Sequence, residues 1–189
     1  MFCLSDCVLP ASLELILLPL ALKIYGERIP TAPPALLLAQ VRQESSWKPT
    51  ARSPVGAVGL TQFMPATWRW IGASNGLGIG DPSDPKDALL WQAVYMNGIA
   101  KRTKAIATYC DRWLFALSGY NGGEGWVQRR QAKTPYASDY VTVSLINPGI
   151  LPSNQIENQE YPRQIYRGQV RYAEYGSMYC PALHPGVKK

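Results

Sequence analysis

A series of apolar segments with helical spacing, each bounded by proline or glycine, most constrains how this chain can fold. Apolar residues that recur every three to four positions form one face of an α-helix, whereas strict alternation is typical of a β-strand. Alternation is found in Val-Thr-Val-Ser-Leu-Ile (141–146), which is the one candidate strand. The sequence therefore predicts a single, mainly α-helical domain.

The N-terminal apolar stretch runs from Val8 to Leu22. It is too short to span a bilayer, and it lacks the positive residues that begin a secretory signal. We therefore predict a soluble helix that starts at Pro10 and has one apolar face, formed by Leu13, Leu17, Leu20 and Ile24. A cryptic or arrested signal is the alternative, so the route of export stays open.

A second helix is predicted to start at Pro34, after the proline-rich break at 29–35. It carries Leu37, Val41 and Glu44 on one side and ends before position 48. Later helices are predicted from position 65, over 85–104 and 105–123, in the short segments 123–131 and 135–141, and over 156–176, where Pro162 either breaks the helix or starts its last segment.

The net charge and the aromatic content of the chain indicate which classes of binding partner suit it. The net charge is +6, from 19 Lys and Arg against 13 Asp and Glu, but the basic residues form no long run. A nucleic-acid partner therefore has no support in the sequence, and an anionic bacterial envelope suits this charge equally well. Eleven tyrosines and six tryptophans suit a groove that binds sugars or peptides, although such residues also pack at the edges of cores.

The four cysteines are Cys3, Cys7, Cys110 and Cys180, and His184 is the one histidine. This spacing is not that of a zinc site, so we expect no metal and no other cofactor. Two disulfides would form in an oxidising compartment and four free thiols in the cytosol. Three pairings exist, and the sequence does not select one.

Four segments carry the candidate chemistry: Gln-Glu-Ser-Ser-Trp…Thr-Gln-Phe-Met-Pro-Ala-Thr-Trp (43–68), Asp-Pro-Lys-Asp-Ala…Met-Asn-Gly (84–98), Leu-Ser-Gly-Tyr-Asn-Gly-Gly-Glu-Gly-Trp-Val (117–127) and Glu-Asn-Gln-Glu-Tyr-Pro-Arg-Gln-Ile (157–165). In this order they resemble the catalytic domain of soluble-type lytic transglycosylases, the lysozyme-like SLT family. The resemblance runs roughly from Ile24 to Tyr175. It implies a lysozyme-like (SLT or goose-type) helical domain with a substrate cleft, and it divides the chain into an N-terminal helical extension (1–30), a catalytic domain (31–176) and a C-terminal tail (177–189).

Glu44 is the expected catalytic residue. Cleavage of a glycosidic bond requires a carboxylic acid that is still protonated near neutral pH, which burial among apolar groups provides. Glu44 lies one turn after Val41, at the end of a helix that a loop is predicted to cover. By resemblance, Glu44 acts first as the acid and then as the base.

The resemblance also implies supporting residues around Glu44. Ser45 would orient the substrate or a loop, or cap the helix, and Ser53 would help to position Glu44 or the cleaved sugar. Gln62 and Met64 would line the sugar groove. The remaining candidates belong to the last two segments: Tyr120, Asn121, Glu157 and Tyr161. Of these, Asn121 is expected to bond the loop backbone, Tyr120 and Tyr161 to approach Glu44, and Glu157 to lie in the cleft.

Departures from the family pattern concern these last segments. Asn158-Gln159 replaces Thr-Arg, Pro162 replaces an apolar residue, and Gly-Gly-Glu-Gly (122–125) replaces Ala-Gly-Pro-Gly.

No acidic residue lies between Glu44 and Asp81. A two-carboxylate glycosidase needs a second acid opposite the first, and Asp81, Asp84 and Asp87 all occur where Asp commonly caps a helix. This favours a one-carboxyl mechanism. In the family, the C6 hydroxyl of muramic acid attacks its own anomeric carbon and forms a 1,6-anhydro sugar.

The function expected from this resemblance is peptidoglycan lytic transglycosylation, with glycan strands as the partner and no stable membrane span. A hydrolytic muramidase that uses Asp81 or a nearby acid is one alternative. A glycan-binding or assembly protein without turnover is the other. Chain size also suggests a phage lysis or virion enzyme, or a subunit of a secretion apparatus.

Overall fold

A computed structural model describes residues 12–183 of the chain. Those residues form eight α-helices, which in chain order are α1 (Leu13–Arg28), α2 (Pro34–Ser45), α3 (Pro65–Ser74), α4 (Pro85–Arg102), α5 (Tyr109–Gly122), α6 (Glu124–Gln131), α7 (Tyr140–Ser144) and α8 (Pro152–Gly168). Two 3₁₀ helices follow, Gln169–Tyr175 and Pro181–Leu183. This part of the chain contains isolated β-bridges at Arg52–Val58 and Val58–Phe63 but no strand, so the predicted helical class is confirmed.

The central helix is α2. Residues 35–41 are all buried, and Leu36, Leu37 and Leu38 have no exposed surface. A helix that is buried on all sides needs partners all round, and here α1, α8 and the first 3₁₀ helix pack against it. The core therefore fixes the backbone of the last turn of α2, which carries Glu44.

The buried face of α1 includes most of the predicted one. Ile24 is buried, and Leu17 and Leu20 are partly buried against the core, whereas Leu13 is 51% exposed. Leu18, Ala21 and Tyr25 also enter the core, because the helix is rich in apolar residues on every side and periodicity did not define a unique face. The predicted start at Pro10 lies outside the described residues. The predicted boundaries at 30 and 176 stay predictions, although α1 contributes to the same core as α2, α4 and α5.

The region between residues 105 and 146 was predicted with three errors. The helix expected from position 105 begins at Tyr109, because the Thr108 side chain caps it by accepting a hydrogen bond from the Asp111 N–H. The candidate strand at 141–146 is instead largely helical, and the helix expected at 135–141 is displaced to Tyr140–Ser144. Asp139 caps this helix, and Val143 is buried beneath it. Capping and packing thus outweigh the β-propensity of the two valines.

Pro162 does not break α8, which runs without interruption from Pro152 to Gly168. The helix begins four residues earlier than predicted, since Pro152 occupies its first position. Tyr161, Pro162 and Ile165 are buried together, and α8 packs against both α2 and α5. These tertiary contacts keep the helix continuous despite the missing backbone donor.

A disulfide joins Cys110, at the start of α5, to Cys180, which precedes the last 3₁₀ helix. The bond closes a loop across 70 residues. Cys3, Cys7 and His184 lie outside the described residues. None of the helices in the described part is long and apolar enough to cross a membrane.

Most of the tryptophans are structural. Trp47, Trp68, Trp91 and Trp113 are buried. Trp68 and Trp91 stack with ring centroids 4.4 Å apart and planes 6° from parallel, in a second cluster with Phe63 and Ile71. This cluster fixes α3 and the preceding loop against α4, beside the end of α2.

Candidate active site

Glu44 lies where α2 ends abruptly. Ser46 and Trp47, which follow the helix, both have left-handed backbones with φ of 51° and 62°. Such angles are unfavourable outside glycine, so surrounding contacts must hold them. The Trp47 ring is buried and its indole N–H donates to the Tyr172 hydroxyl at 2.9 Å. The chain therefore turns back over Glu44 as soon as the helix ends.

Two hydroxyl groups fasten the covering loop, residues 46–64, to the helices beneath it. The Ser45 hydroxyl donates to the Leu60 carbonyl at 2.8 Å, and the Tyr120 hydroxyl donates to the Thr61 carbonyl at 2.6 Å. The Ser45 hydroxyl also lies 3.3 Å from the Val41 carbonyl of its own helix, so the predicted roles of orienting the loop and of capping the helix both stay predictions. Tyr120 anchors the same loop from α5, on the other side of Glu44.

Contacts between residues of the covering loop also hold its conformation. Gly59 has φ +82°, and a Cβ added there would lie 1.8 Å from the Pro82 carbonyl oxygen, so no larger residue fits. The Gln62 amide nitrogen donates to the Gly59 carbonyl at 2.8 Å. The Ser53 hydroxyl accepts from the Ala57 N–H at 2.9 Å. Its predicted support of Glu44 or of the sugar stays a prediction.

Glu44 is half-buried and faces an open cavity of about 280 Å³. Other residues that line it include Gln62, Met64, Tyr120 and Asn121. Met64 is 42% exposed, so it belongs to the cavity wall rather than to the core. Phe63 and Tyr95 contribute aromatic surface, with ring centroids 5.1 and 5.5 Å from that of Tyr120. The cavity thus combines aromatic walls with a few polar groups, as small-molecule sites commonly do.

The electrostatic surroundings keep Glu44 protonated at higher pH than an ordinary glutamate. Burial raises the pKa of its carboxyl from 4.5 to about 7, and the negative charge of Glu157 acts in the same direction. The Tyr161 hydroxyl, which donates a hydrogen bond to Glu44 Oε1, lowers this pKa. Within residues 12–183, no lysine or arginine forms an ion pair with Glu44. A carboxyl group in this state can donate a proton near neutral pH.

Asn121 has different partners from those predicted. Its amide nitrogen donates to Glu157 Oε1 at 3.1 Å, and its amide oxygen accepts from the Asn158 side chain at 3.0 Å. Asn121 therefore joins α5 to α8 through side chains, rather than bonding the loop backbone. The exposed Glu157 does not line the Glu44 cavity but lines an adjoining one of about 240 Å³, which shares Asn121 with it, so its predicted place in the cleft stays a prediction.

Sequence reasoning missed Gln40, which is fully buried and donates to the Tyr161 hydroxyl at 3.1 Å. Tyr161 thus lies between Gln40 and Glu44. The available signal was an amide within the apolar run 35–41, four residues before Glu44 and on the same face of the helix. Tyr95 was also missed, and no motif marked it.

The aspartates considered as second acids are engaged elsewhere. Asp84 caps α4 by accepting from the Asp87 N–H at 3.0 Å, while Asp87 accepts from the Asp81 N–H at 2.9 Å. Asp81 itself accepts from the Ser83 N–H at 2.8 Å. None of the three lines the Glu44 cavity. Among the described residues, no cluster of His, Cys, Asp and Glu could hold a metal ion.

With this geometry in place, comparison with known proteins identifies the family. The sequence profile of the family described as "Transglycosylase SLT domain" matches residues 22–142, more than half of the chain. The chain belongs to this family. The SLT match begins inside α1 and includes Glu44, the covering loop and Tyr120.

Relatives of this SLT domain include proteins named membrane-bound lytic murein transglycosylase F. The one from Yersinia pestis is 36% identical over 90 residues, which is 48% of this chain and 17% of the relative. The one from Shewanella halifaxensis is 36% identical over 100 residues, 52% of this chain and 20% of the relative. The chain thus spans about a fifth or less of the length of these curated relatives.

Solved structures show the same fold. The lytic transglycosylase Slt of Pseudomonas aeruginosa matches with a TM-score of 0.65 and 20% identity, over 82% of this chain and 24% of that protein. The 70 kDa soluble lytic transglycosylase of Escherichia coli matches with a TM-score of 0.63 and 22% identity, over 81% of this chain and 24% of that one. The predicted lysozyme-like fold is confirmed.

Proposed function

We propose that this SLT domain is a peptidoglycan lytic transglycosylase. It would cleave the β-1,4 bond between N-acetylmuramic acid and N-acetylglucosamine and leave a 1,6-anhydro end. The observation that carries the proposal is the single carboxyl group of Glu44, which faces the cavity with a pKa of about 7 and no cation paired to it. Family membership and the names of the relatives support the substrate.

In the proposed reaction, protonated Glu44 gives its proton to the glycosidic oxygen as the bond to the anomeric carbon breaks. The Tyr161 hydroxyl holds the resulting carboxylate in place. Glu44 then takes the proton of the C6 hydroxyl while that oxygen bonds to the anomeric carbon. Glu44 ends protonated, no water is consumed, and one bond forms for the one that breaks.

The remaining site residues receive supporting roles. Gln62, Met64, Tyr95 and Tyr120 would bind the sugars, while Ser45 and Ser53 would shape the loop that covers Glu44. Asn121 and Glu157 would form the rim of the cleft on the α8 side. These assignments rest on the lining of the cavity and on the contacts of each residue.

The domain would act on the cell wall outside the cytoplasm. The disulfide between Cys110 and Cys180 supports this placement, because such bonds persist in oxidising compartments. A phage lysis system, a virion or a secretion apparatus is the setting that the sequence suggested, and these partners remain part of the proposal.

The test is mass spectrometry of the muropeptides released from purified peptidoglycan by the wild type, by Glu44→Gln and by Glu27→Gln. Glu27 is an exposed glutamate of α1 and serves as the matched control. We expect anhydro products, one water lighter than reducing-end products, from the wild type and the control. Glu44→Gln should lose roughly 10²- to 10⁴-fold of the rate.

Two other outcomes would overturn the proposal. Reducing-end products would make the domain a muramidase, and the residue that positions water would then be sought first at Glu157. Retention on peptidoglycan without any cleavage product would make it a glycan-binding protein.

A further inference from the structure

Two glutamines are buried in the core beside the active site. Gln40 of α2 and Gln92 of α4 have no exposed surface, although the faces that carry them are otherwise apolar. A buried amide is costly unless its donors and acceptors are paired. The hydrogen bonds of these two amide groups therefore explain why glutamine is tolerated at both buried positions.

These amides link a tyrosine of α1 to Glu44. The Tyr25 hydroxyl donates to Gln92 Oε1 at 2.6 Å, and Gln92 Nε2 donates to Gln40 Oε1 at 2.9 Å. Gln40 Nε2 then donates to the Tyr161 hydroxyl at 3.1 Å, and that hydroxyl donates to Glu44. We refer to these five side chains as the buried chain.

A backbone carbonyl fixes the direction of the buried chain. Gln92 Nε2 also donates to the Leu37 carbonyl at 3.2 Å. A carbonyl oxygen only accepts, so the nitrogen of Gln92 must face Leu37 and Gln40, and its oxygen must face Tyr25. The oxygen of Gln40 then faces Gln92, which leaves its nitrogen for Tyr161.

The direction of these hydrogen bonds also determines where the Tyr161 hydroxyl proton points. Since this hydroxyl accepts from Gln40, its single proton is left to donate to Glu44. Each donor in the buried chain points toward Glu44, and hydrogen bonds aligned in this way strengthen one another. The aligned donors favour the ionised carboxylate over the protonated acid.

We propose that Gln40, Gln92 and Tyr25 are positioning residues for Glu44, which together hold the Tyr161 hydroxyl in its donating orientation. The inference rests on the proposed role of Glu44 as acid and base. In that role, the buried chain stabilises the carboxylate that exists between the two proton transfers. It also makes α1 part of the active-site machinery, although α1 does not line the cavity.

Other groups around Glu44 must be considered in any pH measurement. Glu157 and Tyr161 face it from α8, and Tyr120 faces it from α5. Burial raises the pKa of both tyrosines well above 10, so they keep their protons across the working range. Changes near neutral pH thus report Glu44, modified by the charge of Glu157.

The test compares Tyr25→Phe with Tyr140→Phe by NMR titration of the Glu44 side-chain carboxyl carbon, assigned with Glu44→Gln. Tyr140 is the matched control, because it is equally buried and its hydroxyl has no hydrogen-bond partner among the described residues. We expect Tyr25→Phe to raise the Glu44 pKa by roughly 0.3–0.5 unit. Tyr140→Phe should leave it in place.

A second variant, Gln40→Met, removes the link next to Tyr161 and keeps the side-chain length. It should raise the Glu44 pKa by roughly 0.5–0.8 unit, less than loss of the Tyr161 hydroxyl itself would, and move the basic limb of the activity profile upward by the same amount. Loss of thermal stability in both variants with an unchanged Glu44 pKa would overturn the inference, since the glutamines would then serve only the fold. Shifts of the pKa in a protein that cleaves no peptidoglycan would support the buried chain and reject the proposed function.

Discussion

Two glutamates of this molecule have similar partners and opposite properties. Glu14 accepts a hydrogen bond from the Tyr172 hydroxyl at 2.7 Å, as Glu44 does from Tyr161. Burial alone would raise the pKa of both carboxyls. The pKa of Glu14 is nevertheless lowered, through Tyr172, Arg171 and Arg42, whereas that of Glu44 is raised to about 7.

Cation placement accounts for this difference. Arg42 and Arg171 lie 2.8 and 3.0 Å from the Glu14 carboxylate. Arg42 belongs to the same helix as Glu44 and precedes it by two residues, which is a rotation of about 200° around the helix axis. It therefore points away from the cleft. A tyrosine partner is common to both sites, whereas of these two glutamates only Glu14 has a paired cation within residues 12–183, and this difference fits the proposed role of Glu44 as an acid.

The largest expected effect is on stability as a function of pH, measured by denaturant unfolding of the wild type, Glu44→Gln and Glu14→Gln between pH 4 and 8. The pKa of Glu44 is higher folded than unfolded, so its favourable contribution is complete below pH 4.5 and is lost as the pH rises through 7. Glu44→Gln should therefore match the wild type at low pH and exceed it above pH 7, by on the order of 3 kcal/mol.

Glu14→Gln should show the opposite trend. The contribution of Glu14 is present above its unfolded pKa and is lost as the pH falls through the lowered folded value. Its loss should cost about 1 kcal/mol at neutral pH, because the side chains of Arg42 and Arg171 are 44% and 55% exposed and therefore screened. If the free energy of unfolding depended on pH in the same way in the two variants, the pKa values of Glu14 and Glu44 would not be shifted in opposite directions.

The tyrosines offer a second test. Tyr161→Phe should lower the maximal rate of peptidoglycan cleavage about tenfold, because Glu44 loses its orienting hydroxyl. The basic limb of the pH profile should rise by roughly one unit, since the bond from Tyr161 lowers the Glu44 pKa. Tyr172→Phe should leave the pH profile unchanged. An equal shift of the basic limb in both variants would mean that a general loss of stability, rather than loss of the bond to Glu44, is the cause.

The smallest effect is expected from Glu157→Gln. The charge of Glu157 raises the pKa of Glu44, so its removal should move the basic limb down by about 0.3 unit. The shift should shrink in high salt because Glu157 is exposed. Glu160→Gln, on the same helix but paired with Arg163, is the control. A shift of the same size in the control would point to the total charge of α8 instead.

Much of the helical pattern could be predicted from proline and glycine. Pro34, Pro65 and Pro85 begin helices where expected, and α5 ends at Gly122. The failures occur where a side-chain cap or a tertiary contact decides the outcome, as with Asp139 before α7 and the buried Pro162 in α8.

For the site, the resemblance to a known family brought together Glu44, Tyr120 and Tyr161, although the two tyrosines follow Glu44 by 76 and 117 residues along the chain. It could not reveal that Gln40 meets Gln92, because their pairing depends on how α2 packs near α4 in this core. The opposite charge environments of Glu14 and Glu44 could not be predicted either, because the arginines that pair with Glu14 come from α2 and from the first 3₁₀ helix.

The disulfide between Cys110 and Cys180 divides the active site topologically. Tyr120, Asn121, Glu157 and Tyr161 all belong to the covalent ring that it closes, whereas Glu44 and the covering loop lie outside it. One proteolytic cut within the ring leaves the two pieces joined. One cut between residues 46 and 62 leaves Glu44 with no covalent connection to the other residues that line its cavity. The loop that covers Glu44 is therefore also a segment at which a single cut divides the domain into two pieces.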